Sequence, residues 1–320
     1  QLIDITVATL GEPPDQVVLA PPQTVLKTSS GKIRRAACRD LYESGRIGVR
    51  THAAWWQIVR LIAGSVLPQT RQTAAAAARL LYGIYVLLLF ALIAVPTWLL
   101  TALAPRPSIA WQVNRFASRT LLRLAGIPLT VHGLEHLPAG PCVLVANHAS
   151  YMDVLVLCAA LPPPFSFVAK RELLESALTR LYLRGLGTQF VERFDARQSV
   201  EDARRLAETV KAGISMGFFP EGTFTRRAGL MPFRLGAFAA AVTAGVPVLP
   251  VAIRGARTLL RDGQRLPRHS AISIAIGEPA YPPASAKDAF AAAVALRDIA
   301  RSFILAHCGE MDAGSNQTPD

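Results

Sequence analysis

From Leu80 to Pro105 the chain carries no charged side chain. At about 1.5 Å per residue, Leu81–Leu103 alone is long enough to cross a hydrocarbon layer of about 30 Å. Only a segment that satisfies its own backbone N–H and C=O groups survives there, so this run predicts a membrane-embedded helix near the N-terminus. Pro96 lies inside the run and is expected to kink it. Arg71 and Arg79 precede the run and Arg106, Arg115 and Arg119 follow it, so the distribution of positive charge sets no single orientation. Basic flanks on both sides suit a bent helix or hairpin that enters and leaves from one face.

The remainder of the chain is organised around that segment. Residues 1–45 and the linker 46–78 come before it, and the membrane-associated segment itself covers 79–121. A globular domain occupies 122–308, and 309–320 are expected to be disordered, ending in a Gly-Ser-Asn-Gln-Thr-Pro-Asp run. The chain starts at Gln1 and not Met, which suggests a fragment or a processed product. Within the linker, Ala53–Leu67 with Trp55 and Trp56 reads either as an interfacial helix or as an ordinary linker helix. A net charge of +12 beside 51% hydrophobic residues favours an anionic membrane surface as partner and not nucleic acid, for which no motif is present. Cys38, Cys142, Cys158 and Cys308 show no C-x-x-C spacing and read as thiols of a reducing compartment.

Between 122 and 308 short apolar runs alternate with helical patterns. Strands are expected at Leu129–Gly133, Pro141–Ala146, Phe165–Val168, Gln189–Glu192, Ser215–Phe219 and Val246–Ile253, and helices at Tyr151–Leu161, Glu172–Leu183, Val200–Ala212 and Ala286–Ala306. The fold class is therefore α/β, a sheet with helices on its faces and the functional loops along one edge.

Chemistry concentrates where the run Pro141–Ala146 ends on Asn147-His148. Ser150 then stands as a plausible N-cap, with Asp153 in the first turn of the next helix. A bend between His148 and Asp153 lets the carboxylate reach back to the imidazole, giving a general base with its orienting acid. The same residues also fit a capping box and an ordinary loop histidine.

Three further blocks accompany this pair in order: Phe190-Val191-Glu192-Arg193, Phe218-Phe219-Pro220-Glu221-Gly222-Thr223, and Val246–Val251. Together the four resemble the blocks of the glycerolipid acyltransferase family, over roughly residues 110–305. The resemblance implies a mixed sheet flanked by helices with an N-terminal membrane-embedded helix. It also implies acyl transfer from acyl carrier protein or coenzyme A, as co-substrate and without a tightly bound cofactor, to a lysophospholipid hydroxyl, most plausibly 1-acylglycerol 3-phosphate. His148 and Asp153 take the catalytic positions. Asn147, Ser150, Arg193, Glu221, Gly222, Thr223, Arg226, Arg227 and Arg234 take the substrate-binding ones. No metal is implied. The expected place is the inner or cytoplasmic membrane, with the catalytic domain facing the cytoplasm, the phospholipid surface as partner and acyl carrier protein as a possible one.

The chain departs from the family pattern at Phe224, where an arginine is usual, at Glu192, where Asp is usual, and at Arg234, where lysine is common. A different acceptor, such as lysophosphatidylethanolamine or an amino-acid lipid, therefore stays open, as does a catalytically silent lipid-binding module. Separately, Val25-Leu26-Lys27-Thr28-Ser29-Ser30-Gly31-Lys32-Ile33-Arg34-Arg35 resembles the last signature of adenylate-forming acyl-AMP ligases, with Lys32 at the lysine position. Residues 1–45 then read as a remnant of such a domain, unable to adenylate by itself.

Overall fold

The computed structural model describes residues 2–20, 22, 24–28, 31–45, 47, 54–162, 165–191, 196–223, 226, 228–283 and 286–313, with the backbone alone at 2, 10, 54–71, 196–201 and 203. The chain divides into two units, Gln1–Ala74 and Ala75–Asp320.

The first unit holds α1 (Leu2–Leu10), α2 (Arg35–Glu43) and the beginning of α3 (Ala54–Ala102). Between α1 and α2 the chain doubles back on an antiparallel bridge from Lys27 to Ile33. Gly31 makes the turn at φ +81°, its N–H donating to Thr28 O at 2.9 Å. Lys32 sits in this turn, held by its N–H on Thr28 Oγ1 at 3.1 Å.

The expected linker helix and membrane helix are one helix in the backbone, α3, which continues through Pro68 and Pro96. Pro96 thus does not end the helix. The Thr97 hydroxyl donates to Ile93 O at 2.7 Å in the turn where the proline ring removes an N–H from the ladder. The stretch Gln72–Ala102 reaches a mean hydropathy of 2.3 with only 11% of its most apolar window buried, so by length and composition it is able to cross a membrane. Trp55 and Trp56 have no described side chains.

The second unit opens with a helical hairpin. Pro107 starts α4 (Pro107–Leu124), and α4 returns antiparallel along α3. Asn114 Nδ2 donates to Thr101 Oγ1 at 2.7 Å near the hairpin's tip. At its open end the Tyr82 and Tyr85 hydroxyls donate to Ala125 O and Leu124 O, each at 3.0 Å.

Seven strands follow: β1 (Leu129–His132), β2 (Val143–Ala146), β3 (Phe165–Lys170), β4 (Gln189–Val191), β5 (Ser215–Phe218), β6 (Val248–Arg254) and β7 (Ile272–Ile276). They line up as β1-β7-β6-β2-β5-β3-β4, every pair parallel except β6 with β7. Parallel neighbours need crossovers. These are α5 (Asp153–Ala160), α6 (Ala177–Gly185), α7 (Ala196–Lys211) and α8 (Gly236–Ala244), with the short α9 (Ala256–Leu259) and the closing α10 (Ala289–Cys308) completing the helices.

β2 is fully buried, and its period-two alternation divides the core. Leu144 and Ala146 join a cluster with Trp111 and Leu122 of α4 and Leu157 of α5. Val143 and Val145 join the opposite cluster with Leu206 of α7, Phe238 of α8 and Leu296 of α10.

Two expectations need correction. The helix read over Glu172–Leu183 is a 3-10 turn, Arg171–Leu174, followed by α6, because Ser176 caps α6 by accepting the Thr179 N–H at 3.4 Å. Of the tail read as disordered, residues 309–313 are described and hydrogen-bonded to the domain, and the rest lies outside the described residues. Its polar composition suggested no core, but its carboxylates meet arginines of the domain.

Candidate active site

The chain corner after β2 is built by side chains that replace backbone pairing. Asn147 is buried and extends the β2–β6 ladder, its Nδ2 donating to Ile253 O at 2.9 Å and its Oδ1 accepting the Ile253 N–H at 2.7 Å. Ser150 is also buried, and its hydroxyl donates to Leu260 O at 2.6 Å and accepts the Met152 N–H at 3.1 Å. The position directly before α5 is Met152, so Ser150 braces the corner from two residues further back than an N-cap. Both residues were expected to bind substrate; the structure places them as internal braces with their polar atoms engaged inside the protein.

Asp153 is the first residue of α5 and fully buried. Its Oδ2 accepts from His148 Nδ1 at 2.8 Å, Ala149 N–H at 2.7 Å and Ser150 N–H at 2.8 Å. The acid therefore folds the corner and orients the imidazole with the same oxygen. A proton assigned to Nδ1 by this bond leaves Nε2 as the nitrogen that accepts one. Phe219 stacks on the ring with centroids 4.2 Å apart and planes 22° apart, and Phe167 stacks behind Phe219 at 6.1 Å.

Glu221, expected among the substrate-binding residues, turns its carboxylate inward. Its buried carboxylate spans two backbone donors, Oε1 taking the His148 N–H at 2.6 Å and Oε2 the Met231 N–H at 2.8 Å. Burial pushes its pKa up to about 7; the two N–H bonds act against that rise, Asp153 adds to it and Arg257 opposes it. An anion beside a buried carboxylate would be repelled, which fits a brace better than a contact.

Gly222 follows at φ +80°, a conformation that suits glycine. A Cβ added there would stand 3.1 Å from Arg234 Nε, so the turn and that guanidinium are close neighbours. Thr223 and Arg234 are exposed and line the same cavity as His148. Arg226 pairs with Asp262 at 3.8 Å on the surface, and the Tyr151 hydroxyl donates to the other oxygen of Asp262 at 3.0 Å. Arg193 and Arg227 lie outside the described residues, as do Glu192, Phe224 and Thr225.

The cavity measures about 1240 Å³. Val86, Phe90 and Trp98 of α3, Trp111 of α4, Leu155 of α5 and Phe167 contribute to its wall, while His148, Gly222, Thr223 and Arg234 are among its polar lining, with Lys170 and Asp202 further along. Sequence reasoning did not foresee this wall. Phe219 stood inside a recognised block and could have been read as a ring-stacking partner; the cavity has no linear signature, since its lining comes from elements scattered over the whole second unit. Among the described residues no group of three or more His, Cys, Asp or Glu side chains is placed to hold a metal ion.

Residues 128–254 match the family model described as Acyltransferase. The chain is 34% identical over 154 residues to the chloroplastic 1-acyl-sn-glycerol-3-phosphate acyltransferase BAT2 of Brassica napus, covering 47% of this chain and 44% of that protein. It is 35% identical over 130 residues to the human 1-acyl-sn-glycerol-3-phosphate acyltransferase alpha, covering 40% and 46%. The chain thus spans about half the length of these curated relatives. The crystal structure of the 1-acyl-sn-glycerophosphate (LPA) acyltransferase PlsC from Thermotoga maritima superposes with a TM-score of 0.57 at 24% identity, over 70% of this chain and 97% of that one, so the fold is shared.

Proposed function

We propose that the chain is a membrane-bound O-acyltransferase that moves a fatty acyl group from an acyl thioester to the free hydroxyl of 1-acylglycerol 3-phosphate. One observation carries the reading: an imidazole held at 2.8 Å by a buried carboxylate opens into a cavity of about 1240 Å³ with aliphatic and aromatic walls. In the proposed step His148 Nε2 takes the proton of the acceptor hydroxyl as its oxygen attacks the thioester carbonyl. The carbon–sulfur bond breaks, and the thiol of coenzyme A or acyl carrier protein leaves with a proton. Asp153 holds the ring and stabilises the imidazolium that forms. No acyl-enzyme is needed, and Ser150, tied to Leu260 O, is not a nucleophile in this scheme.

The names of the relatives support phosphate as the acceptor's headgroup. Arg234, beside the Gly222 turn, is the described guanidinium assigned to it, with charge-assisted hydrogen bonds as the means. The donor thioester is a co-substrate in this scheme and nothing else is bound tightly. Residues 1–45 we read as the end of an adenylate-forming ligase domain, with Lys32 as its vestigial lysine, so that acyl groups activated upstream are handed on. The cytoplasmic face of the membrane is the place of action in this reading.

Acyl transfer from labelled acyl-CoA and acyl carrier protein thioester to a panel of lysolipids, with His148→Ala beside it, tests this. Transfer to 1-acylglycerol 3-phosphate that His148→Ala abolishes is the expected result. Transfer confined to a larger headgroup would move the acceptor assignment, and no transfer to any lysolipid would sink the reading.

A further inference from the structure

Residues 309–313 lie outside the chemistry proposed above, yet they are bonded to the loop that carries it. Gly309 turns the chain back from α10 at φ +74°. Glu310 Oε1 then accepts from Arg257 Nε at 2.6 Å, both side chains being largely buried, and Oε2 accepts the Gly229 N–H at 2.8 Å. Leu230, itself buried, donates its N–H to Met311 O at 2.8 Å and accepts the Ala313 N–H at 3.2 Å. Asp312 receives the Arg301 guanidinium on both oxygens, at 2.7 and 3.0 Å. The same guanidinium lies 5.9 Å from the centre of the Phe233 ring.

The next N–H along, that of Met231, is the one on Glu221 Oε2, while Glu221 Oε1 holds the His148 N–H. A continuous run of hydrogen bonds therefore leads from the C-terminal segment to the backbone of the general base. It also fixes the far end of the loop whose near end is Gly222-Thr223. The bidentate Arg301–Asp312 pair and the partly buried Glu310, shared between Arg257 and the Gly229 N–H, are directional and hold geometry, unlike exposed single pairs.

We propose that Glu310 and Asp312 are positioning residues of the acceptor site, which hold Gly229–Met231 in place so that the Gly222 turn, Glu221 and His148 keep their relative geometry. This rests on the acyltransfer reading.

The test uses the full chain in detergent or vesicles, with 1-acylglycerol 3-phosphate and acyl-CoA varied separately. In a Glu310→Gln, Asp312→Asn double variant the KM for the lysolipid should rise about tenfold while that for acyl-CoA stays within about twofold. Glu310→Asp and Asp312→Glu, which keep the charge, should recover at least about half of the loss. An unchanged acceptor KM, or a fall in activity that merely follows the folded fraction, overturns the proposal. Amide hydrogen exchange reads the same geometry without turnover. In the double variant Leu230 and Met231 should lose about tenfold or more of their protection while β2 keeps its own, and unchanged protection overturns the proposal. Should the variant not fold, exchange in the unaltered chain decides: Leu230 and Ala313 protected as the sheet is supports the proposal, and exchange at unstructured rates overturns it. Absence of acyl transfer by the unaltered chain would instead strike the acyltransfer reading, and exchange would still report on the segment.

Discussion

Asp153 sits where two readings of the sequence meet. Its spacing from His148 indicated a reach across a corner, and the 2.8 Å bond is there. The same oxygen also gathers two backbone N–H groups, so the capping interpretation and the catalytic one describe a single arrangement. Asn147, Ser150 and Glu221 were visible as motif members, but a motif does not say which way a side chain points. All three turn inward. His148→Ala is expected to lower kcat by at least about a hundredfold, the lower end for general base catalysis, with an unchanged circular dichroism spectrum. Asp153→Asn keeps an acceptor oxygen for the corner but loses the charge that would stabilise the imidazolium of the proposed step. Its kcat should fall about as far, and retention of more than about a third of the activity would remove Asp153 from the mechanism.

Glu221 gives a prediction for pH at the same scale. Burial raises its pKa to about 7, above its ordinary value of 4.5, so the folded state holds the proton more tightly than the unfolded chain does. Stability from this group is therefore fully present below pH 4.5 and is lost as pH rises through 7. At about 1.4 kcal/mol per unit of pKa the loss is roughly 3 kcal/mol. Denaturant unfolding of the unaltered chain at pH 5 and pH 8 should show it, and Glu221→Gln should flatten the difference; equal slopes in both proteins would show that Glu221 does not titrate in this range.

At the scale of elements, the strands β1 to β6 were legible, β7 was not read, and the helix boundaries were less legible than the strands. β2 announced itself by four apolar residues between turn formers and the polar Asn147-His148, and burial on both faces explains why it reads as a continuous apolar run. The break before α6 was not legible, since Glu172–Leu183 keeps a helical apolar pattern and only the Ser176 cap interrupts it. The ordered tail was not legible either, because its partners, Arg257 and Arg301, are distant in sequence or face it only after α10 turns. Where helices meet most closely, glycine decides. A Cβ on Gly185 of α6 would lie 2.3 Å from the Thr101 carbonyl oxygen of α3, a backbone atom with no freedom to swing away. Gly185→Ala should therefore cost about 1–3 kcal/mol of stability, as overpacking does. Thr97, Trp98, Asn114 and Tyr182 line the cavity beside this contact, so the same substitution should also change the preferred acyl chain in a panel of donor lengths. A stable variant with an unaltered chain preference would separate that end of the cavity from the acyl group.

For the whole molecule, residues 80–102 of α3 are apolar around the helix circumference, and the two sides face different surroundings. Val86, Phe90, Ile93, Ala94 and Thr97 form one stripe on the cavity. Leu88, Leu92, Val95 and Leu99 form another and remain 66%, 73%, 71% and 51% exposed. A water-facing stripe of that kind is unfavourable by about 1.5–3 kcal/mol for each large side chain, and lipid removes the penalty. With a net charge of +12 the chain also has a long-range attraction to anionic headgroups. The two contributions respond differently to salt, because charge attraction is screened within about 3 Å at 1 M while apolar burial is not. Binding to vesicles of mixed zwitterionic and anionic lipid should therefore weaken in 1 M salt without being abolished. Leu88→Lys with Leu92→Lys should reduce the salt-resistant part by about a hundredfold or more, although both substitutions add positive charge. Complete release of the unaltered chain by salt would mean that α3 rests on the headgroups and that the acceptor must leave the bilayer to reach His148. Salt-resistant binding lost in the double variant would mean that the exposed stripe lies among acyl chains, so that a lysolipid can slide along α3 into the cavity without crossing water.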